Sequence, residues 1–139
     1  MVKSLVLFLA TLTLLLFWAP GKADPDVMTN LIEYSFDNYV DHFDYTRDDT
    51  YQQRYYVNTD FWTSPDNPVF FFLCTSAICN TQFVQMTTGT MVMGANMSAL
   101  IIVVEMRYFG YSQPTDDWST ENMVYLTNEQ ITADTAYFI

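Results

Sequence analysis

A carboxylate and a guanidinium two positions apart, Glu105 and Arg107, follow the apolar run ALIIVV and open the stretch EMRYFGYSQP. Charge placed beside a hydrophobic strand costs free energy unless it is paired. Alternate side chains of an extended backbone point to the same side, so this spacing predicts an ion pair between Glu105 and Arg107 that locks the loop after the strand. Direct contact with a substrate is the other use of the same two groups. Gly110 to Pro114, GYSQP, then reproduces half of a serine elbow, Gly-x-Ser-x-Gly. Pro114 replaces the second glycine and cannot give the tight strand-to-helix turn, so Ser112 is not assigned as a nucleophile.

Other reactive side chains are few. Asp41-His42 has the composition of an acid and a base, but it lies in a segment before the first predicted strand. Hydrolases built on a serine elbow run in the order serine, acid, histidine, so a histidine this early reads as a structural hydrogen-bonding group. The pairs Asp48-Asp49 and Asp116-Asp117 sit in polar turns and read as solvated surface. No catalytic set can be assembled from these residues. Cys74 and Cys79 are the sole cysteines, in CTSAIC, and in an oxidising compartment they read as a small disulfide loop. Closing so short a loop contributes roughly 2 kcal/mol in the chain-entropy picture. A metal site needs more ligands than a chain with His42 as its single histidine offers, and no cofactor is expected. Asn96-Met97-Ser98 is an N-glycosylation sequon.

Composition bounds the setting. Lys3 precedes the uncharged stretch Leu5 to Ala19, and Gly21 and Ala23 supply small residues at −3 and −1 of a cleavage point after Ala23. The apolar run is short for a membrane-spanning helix, which needs about 20 residues. Residues 1–23 are therefore read as a signal peptide, with an uncleaved anchor as the alternative. Its removal leaves residues 24–139 as a secretory chain in which three arginines face 16 acidic groups, a formal charge of −13. Such a chain excludes nucleic acid and anionic lipid as partners. Half of the residues are hydrophobic and 17% aromatic, too apolar for a disordered acidic tail.

The elements that must position these groups follow from periodicity. Asn30 to Thr50 shows no sustained period and reads as extended arm and loop, and Tyr51 to Asn58 as a first strand. Thr63 to Pro68 is a turn cluster, and VFFFLC, Val69 to Cys74, reads as a strand buried on both faces. Gln82 to Ser98 is predicted as a helix and Ala99 to Met106 as a second buried strand. Thr127 and Gln130 form a predicted capping box, Leu126 and Ile131 a hydrophobic staple, at the start of a helix that runs to Ile139. Strand, helix, strand, helix implies an α/β fold with a parallel sheet. Ligands of such sheets bind beyond the carboxyl ends of the strands, where CTSAIC and EMRYFGYSQP both fall.

Five blocks in order, DHFD (41–44), QRYYVN (53–58), PVFFFLC (68–74), EMRYFGYSQP (105–114) and LTNEQITADTAYFI (126–139), resemble the amino-terminal part of a serine exopeptidase family. It is the family of lysosomal Pro-X carboxypeptidase, dipeptidyl peptidase II and thymus-specific serine protease. The resemblance covers nearly all of the chain after residue 23. It implies an α/β-hydrolase fold with an inserted helical cap, of which this chain holds the amino-terminal strands and helices. It also implies peptide substrates cleaved at proline or small residues near their ends, a lysosomal or extracellular location, and room for a homodimer. Glu105, Arg107, Tyr108, Gly110, Ser112 and Pro114 match the family's second motif, so the first four are read as a structural lock at the active-site edge. Met106 and Phe109 depart from a histidine and a tyrosine there.

Thr75-Ser76 stands where the family usually carries Gly-Glu, in the loop that supplies one oxyanion N–H. A Cβ restricts the backbone approach that glycine permits, and losing one oxyanion donor costs about 100- to 1,000-fold in rate. The family's serine, aspartate and histidine lie beyond its equivalent of the last predicted helix, and none of the three matches a residue here. The resemblance thus implies a peptidase segment inactive by itself. The alternative is a non-catalytic acidic secreted binding protein derived from the family.

Overall fold

The computed structural model describes residues 31–75, 79 and 88–139. The predicted signal peptide, Ser76 and the first turns of the helix predicted over 82–98 lie outside them. The described elements are strands β1 (Ile32–Tyr39), β2 (Thr50–Asn58) and β3 (Val69–Cys74), helix α1 (Thr88–Asn96), strand β4 (Leu100–Glu105), a 3-10 turn (Asn122–Tyr125) and helix α2 (Asn128–Phe138).

The strands form one sheet in the order β1-β2-β4-β3. β3 and β4 are parallel, joined by the crossover that contains α1, whereas β1/β2 and β2/β4 are antiparallel. The fold is α/β, but the sheet is mixed where strand–helix alternation predicted a parallel one. β2 runs against β4, and β1, a full strand where an arm and loop were expected, runs against β2. The β1 sequence IEYSFDNY alternates apolar Ile32, Tyr34 and Phe36 with polar Glu33, Ser35 and Asp37, the period-2 pattern of a half-covered strand.

Tyr34 of β1 lies opposite Tyr55 of β2, and their rings stack at 5.4 Å. Phe138 of α2 closes this face, with centroids 5.0 Å from both Phe36 and Tyr55 and 5.9 Å from Phe71. On the opposite face Tyr56, Cys74, Cys79, Ile101 and Val103 make the buried core, flanked by Phe61, Phe70 and Phe72. Complete burial of an aliphatic side chain such as Ile101 contributes about 1.5–3 kcal/mol.

Helix α1 approaches this core through Gly94. A Cβ there would stand 2.6 Å from Ile101 Cδ1, so the glycine that weakens the helix in sequence terms permits its close packing. The helix ends at Ser98, whose φ of +53° lets Ala99 N–H reach Gly94 O at 2.9 Å and its own N–H reach Ala95 O at 3.2 Å. These two bonds satisfy carbonyls that a helix end otherwise orphans. Helix α2 starts at Thr127, whose side chain accepts the Gln130 N–H as predicted. The other half of the predicted capping box is absent. Gln130 instead accepts the His42 N–H with its side-chain oxygen at 3.0 Å and donates its side-chain N–H to Asp41 Oδ1 at 2.5 Å.

Burial departs from expectation on β3. Val69 is 54% exposed, Phe70 to Leu73 are partly covered and only Cys74 is buried, because β3 is the outermost strand of the described sheet.

Candidate active-site edge

Glu105 and Arg107 do not pair. Strand β4 ends at Glu105, Met106 N–H binds Cys74 O at 3.1 Å, and the chain then turns through Tyr108 at φ +66°. The extended backbone that would have aligned the two side chains stops between them. Each charge instead anchors a separate buried cluster.

Glu105 is fully buried and both its oxygens are occupied. Oε1 accepts from Arg54 Nη2 at 2.7 Å and from Cys79 N–H at 2.9 Å. Oε2 accepts from Tyr111 N–H at 3.1 Å, Ser112 N–H at 3.2 Å and Ser112 Oγ at 2.9 Å. One carboxylate therefore ties β2, the segment after β3 and the loop after β4 together. Gly110 is required at this spot: its φ is +54°, and a Cβ would fall 1.9 Å from Glu105 Oε1. Ser112 is fully buried, donates to Glu105 and accepts the Arg54 N–H at 3.0 Å. Its hydroxyl is a structural link between β2 and the loop. Burial opposes the Arg54 charge most strongly, yet its bonds to Glu105 and that carboxylate's charge outweigh burial and raise its pKa.

Arg107, also fully buried, pairs with Asp134 of α2 through Nε–Oδ2 at 2.7 Å and Nη2–Oδ1 at 2.5 Å. Its remaining N–H groups reach Val40 O and Tyr125 O, each at 3.0 Å, and Tyr39 O at 3.1 Å. Asp134 further accepts from Asn38 Nδ2 at 2.9 Å and Tyr51 OH at 3.3 Å, and its Oδ1 lies 2.8 Å from His42 Nε2. This cluster fastens the end of β1, the loop after β4 and α2 at one point. Burial pushes the Tyr51 hydroxyl well above its ordinary range, with the Asp134 charge adding to the effect. His42 packs edge-on against Tyr39 and Tyr137, each ring centroid 5.9 Å away, with its Nε2 committed to Asp134. It serves the fold of this corner.

Tyr108 is buried, and its hydroxyl donates to Asn122 O. Beside it, Tyr108, Phe109, Gly110, Gln113, Trp118, Met123 and Leu126 line an apolar crevice of about 440 Å3. Gln113 and Trp118 bond each other there at 2.9 Å.

Cys74 and Cys79 are both fully buried and stand as free thiols in this structure. The neighbouring Cys74 thiol, reinforced by burial, pushes the Cys79 thiol far up. Thr75 is exposed after the end of β3. Asn96 is exposed in the last turn of α1. Among the described residues no group of three or more His, Cys, Asp or Glu side chains is placed to hold a metal ion. No described helix is long and apolar enough to cross a membrane.

Arg54 and Asp134 were not read from the sequence as site residues. Arg54 carries a usable signal, a charge inside the β-rich stretch YQQRYYVN. Asp134 carries none, since an acid four residues after Gln130 on a helix looks like solvated surface until the topology brings Arg107 to it.

A mixed sheet with a parallel β3/β4 pair, and buried ion pairs at and just after the carboxyl end of β4, makes this an α/β protein. Residues 38–139 match the family described as Serine carboxypeptidase S28, and the chain belongs to it. It is 33% identical over 91 residues to the serine protease vicPb of Bipolaris victoriae (strain FI3), covering 64% of this chain and 17% of that protein. It is 30% identical over 123 residues to human lysosomal Pro-X carboxypeptidase, covering 83% of this chain and 24% of the relative. The bovine lysosomal Pro-X carboxypeptidase is 32% identical over 108 residues, 72% of this chain and 20% of the relative. The chain thus spans about a fifth of the length of these curated relatives.

Proposed function

We propose that this chain forms the amino-terminal, oxyanion-side part of a serine exopeptidase that cleaves peptides at proline or small residues near their ends. The observation that carries this reading is the Glu105 carboxylate. It binds the backbone on the Cys79 side of the loop after β3 and the backbone of 111–112 after β4, which builds the sheet edge where an α/β-hydrolase places its oxyanion hole. Glu105, Arg107, Tyr108 and Gly110 serve as its structural lock, Thr75 and Ser76 as its oxyanion-side loop. The 139 residues contain no Gly-x-Ser-x-Gly. Acyl transfer by a serine enzyme needs a nucleophile and a base, so this chain alone is inactive and hydrolysis depends on polypeptide that completes the α/β-hydrolase sheet. The partly exposed outer strand β3 favours such completion by further chain, a second copy or another partner.

The setting is the secretory pathway, ending outside the cell or in a lysosome-type vacuole. It includes cleavage after Ala23, a Cys74–Cys79 disulfide in mature material and a glycan on the exposed Asn96. Thr75-Ser76 in place of Gly-Glu favours a second reading, a non-catalytic acidic binding protein descended from the family. Transcript sequence continuing past Ile139 separates them. A downstream Gly-x-Ser-x-Gly with later aspartate and histidine supports the peptidase, and a stop codon after Ile139 supports the binding protein. Prolyl-peptide turnover by residues 24–139 alone, abolished by a serine-directed inhibitor, would refute inactivity.

A further inference from the structure

The peptide of Cys79 is held at every polar atom it has. Its N–H donates to Glu105 Oε1 at 2.9 Å. Its carbonyl accepts from Arg54 Nη2 at 2.8 Å and from the Tyr56 hydroxyl at 2.7 Å. The holding groups come from the two central strands, and Arg54 and Glu105 are themselves joined at 2.7 Å. A buried backbone group needs one partner; this peptide has three side chains, each fixed by its own strand. The Arg54 guanidinium is further held 5.5 Å from the centroid of the Tyr56 ring and 4.5 Å from that of Tyr111.

We infer that Glu105, Arg54 and Tyr56 are positioning residues for the Cys79 backbone, after β3. They fix where Cys79 stands, and they hold its buried thiol in register with that of Cys74 for disulfide closure. The inference deepens the proposed function and rests on reading the loop after β3 as the oxyanion side of a peptidase site. Closure with glutathione disulfide is balanced. One cysteine thiolate attacks a sulfur of the oxidant and releases a first glutathione, and the other thiolate attacks the mixed disulfide and releases the second. Two electrons pass from the cysteines to the oxidant, and the two protons end on the glutathione thiols.

The test uses the soluble protein as secreted, with any polypeptide or partner that accompanies it. Its Cys74–Cys79 pair is equilibrated in glutathione buffers and quantified by differential alkylation and mass spectrometry, natively and in urea. The ratio of the native to the urea equilibrium constant reads the positioning. Tyr56→Phe, which removes one hydroxyl and keeps the ring, is expected to lower the native constant about threefold, and Glu105→Gln by about tenfold or more, with the urea value unchanged. Val104→Ala, on the opposite face of β4, weakens the core and is expected to leave the native constant alone. Unchanged native constants in both Tyr56→Phe and Glu105→Gln, or an equal fall in Val104→Ala, would overturn the inference. Where the accompanying polypeptide gives peptidase activity, Tyr56→Phe should lower kcat with KM unchanged. A moved thiol equilibrium with unmoved kcat would leave the positioning role standing and remove the oxyanion reading.

Discussion

Strands β3 and β4 carry the same sequence signature and have different fates. Both are six-residue apolar runs, parallel and in register from Val69↔Leu100 to Cys74↔Glu105. β4 lies between β2 and β3, and Ile101, Val103, Val104 and Glu105 on it are buried. Among the described strands β3 has a neighbour on one side, and Val69 opens to solvent. An apolar run reports what a strand can tolerate, and its place in the sheet decides what becomes buried. The loops also differ at their start: Arg107, two residues past β4, is buried in an ion pair, while Thr75, directly after β3, is exposed.

The comparison can be broken most forcefully at the ion pairs. Replacing Arg107 with Leu strands Asp134 in a buried site, and losing one partner of such a pair costs about 3–5 kcal/mol. Urea denaturation should show that loss; a change below about 1 kcal/mol would mean the cluster is not what fastens the corner. Next, Ile101→Ala on β4 should cost about 2–4 kcal/mol, whereas Val69→Ala on β3 should stay within about 0.5 kcal/mol. Equal costs would erase the contrast between the strands. Gly110→Ala, forced into φ +54° and against the Glu105 carboxylate, should lose about 1–3 kcal/mol. The Cys79 amide should then exchange faster in NMR hydrogen-exchange measurements, because Glu105 must shift.

The smallest effect is electrostatic and concerns an exposed turn. Asp117 is held below its ordinary 3.8 by the Ser119 N–H, then by the Ser119 and Asn122 side chains. A folded pKa below the unfolded one gives stability that is present above the unfolded value and lost as pH falls through the folded value. The stability gap between the protein and Asp117→Asn should therefore be present at pH 6 and shrink as pH falls below 3.8 and through the lowered folded pKa. A gap that widens on acidification would reverse the sign.

Much of the sheet was legible because period and propensity are local. Tyr51 to Asn58, Val69 to Cys74 and Ala99 to Met106 announced β2, β3 and β4 to within a residue or so at each end, and Thr127 announced the start of α2. β1 was legible in principle from its alternation, but its aromatic and acidic neighbours over 40–50 masked the period. The partners of Glu105 and Arg107 were not legible. Arg54 and Asp134 are separated from them by 51 and 27 positions, and only the antiparallel return of β2 and the docking of α2 bring them within bonding distance. The Gln130 half of the capping box failed for the same reason, since its side chain found Asp41 and the His42 backbone across the corner. Local signals set elements, while side-chain partners depend on topology.

Under the proposed function this edge is a locked scaffold, and hydrolysis, where it occurs, uses a serine supplied from elsewhere. A fluorophosphonate probe applied to the secreted protein, followed by mass spectrometric mapping of the modified residue, tests it most directly. No label is expected on Ser112 or any other serine of residues 24–139, with any label falling on polypeptide that completes the sheet. Label on Ser112, lost when the protein is pre-treated with a serine-directed inhibitor, would contradict it.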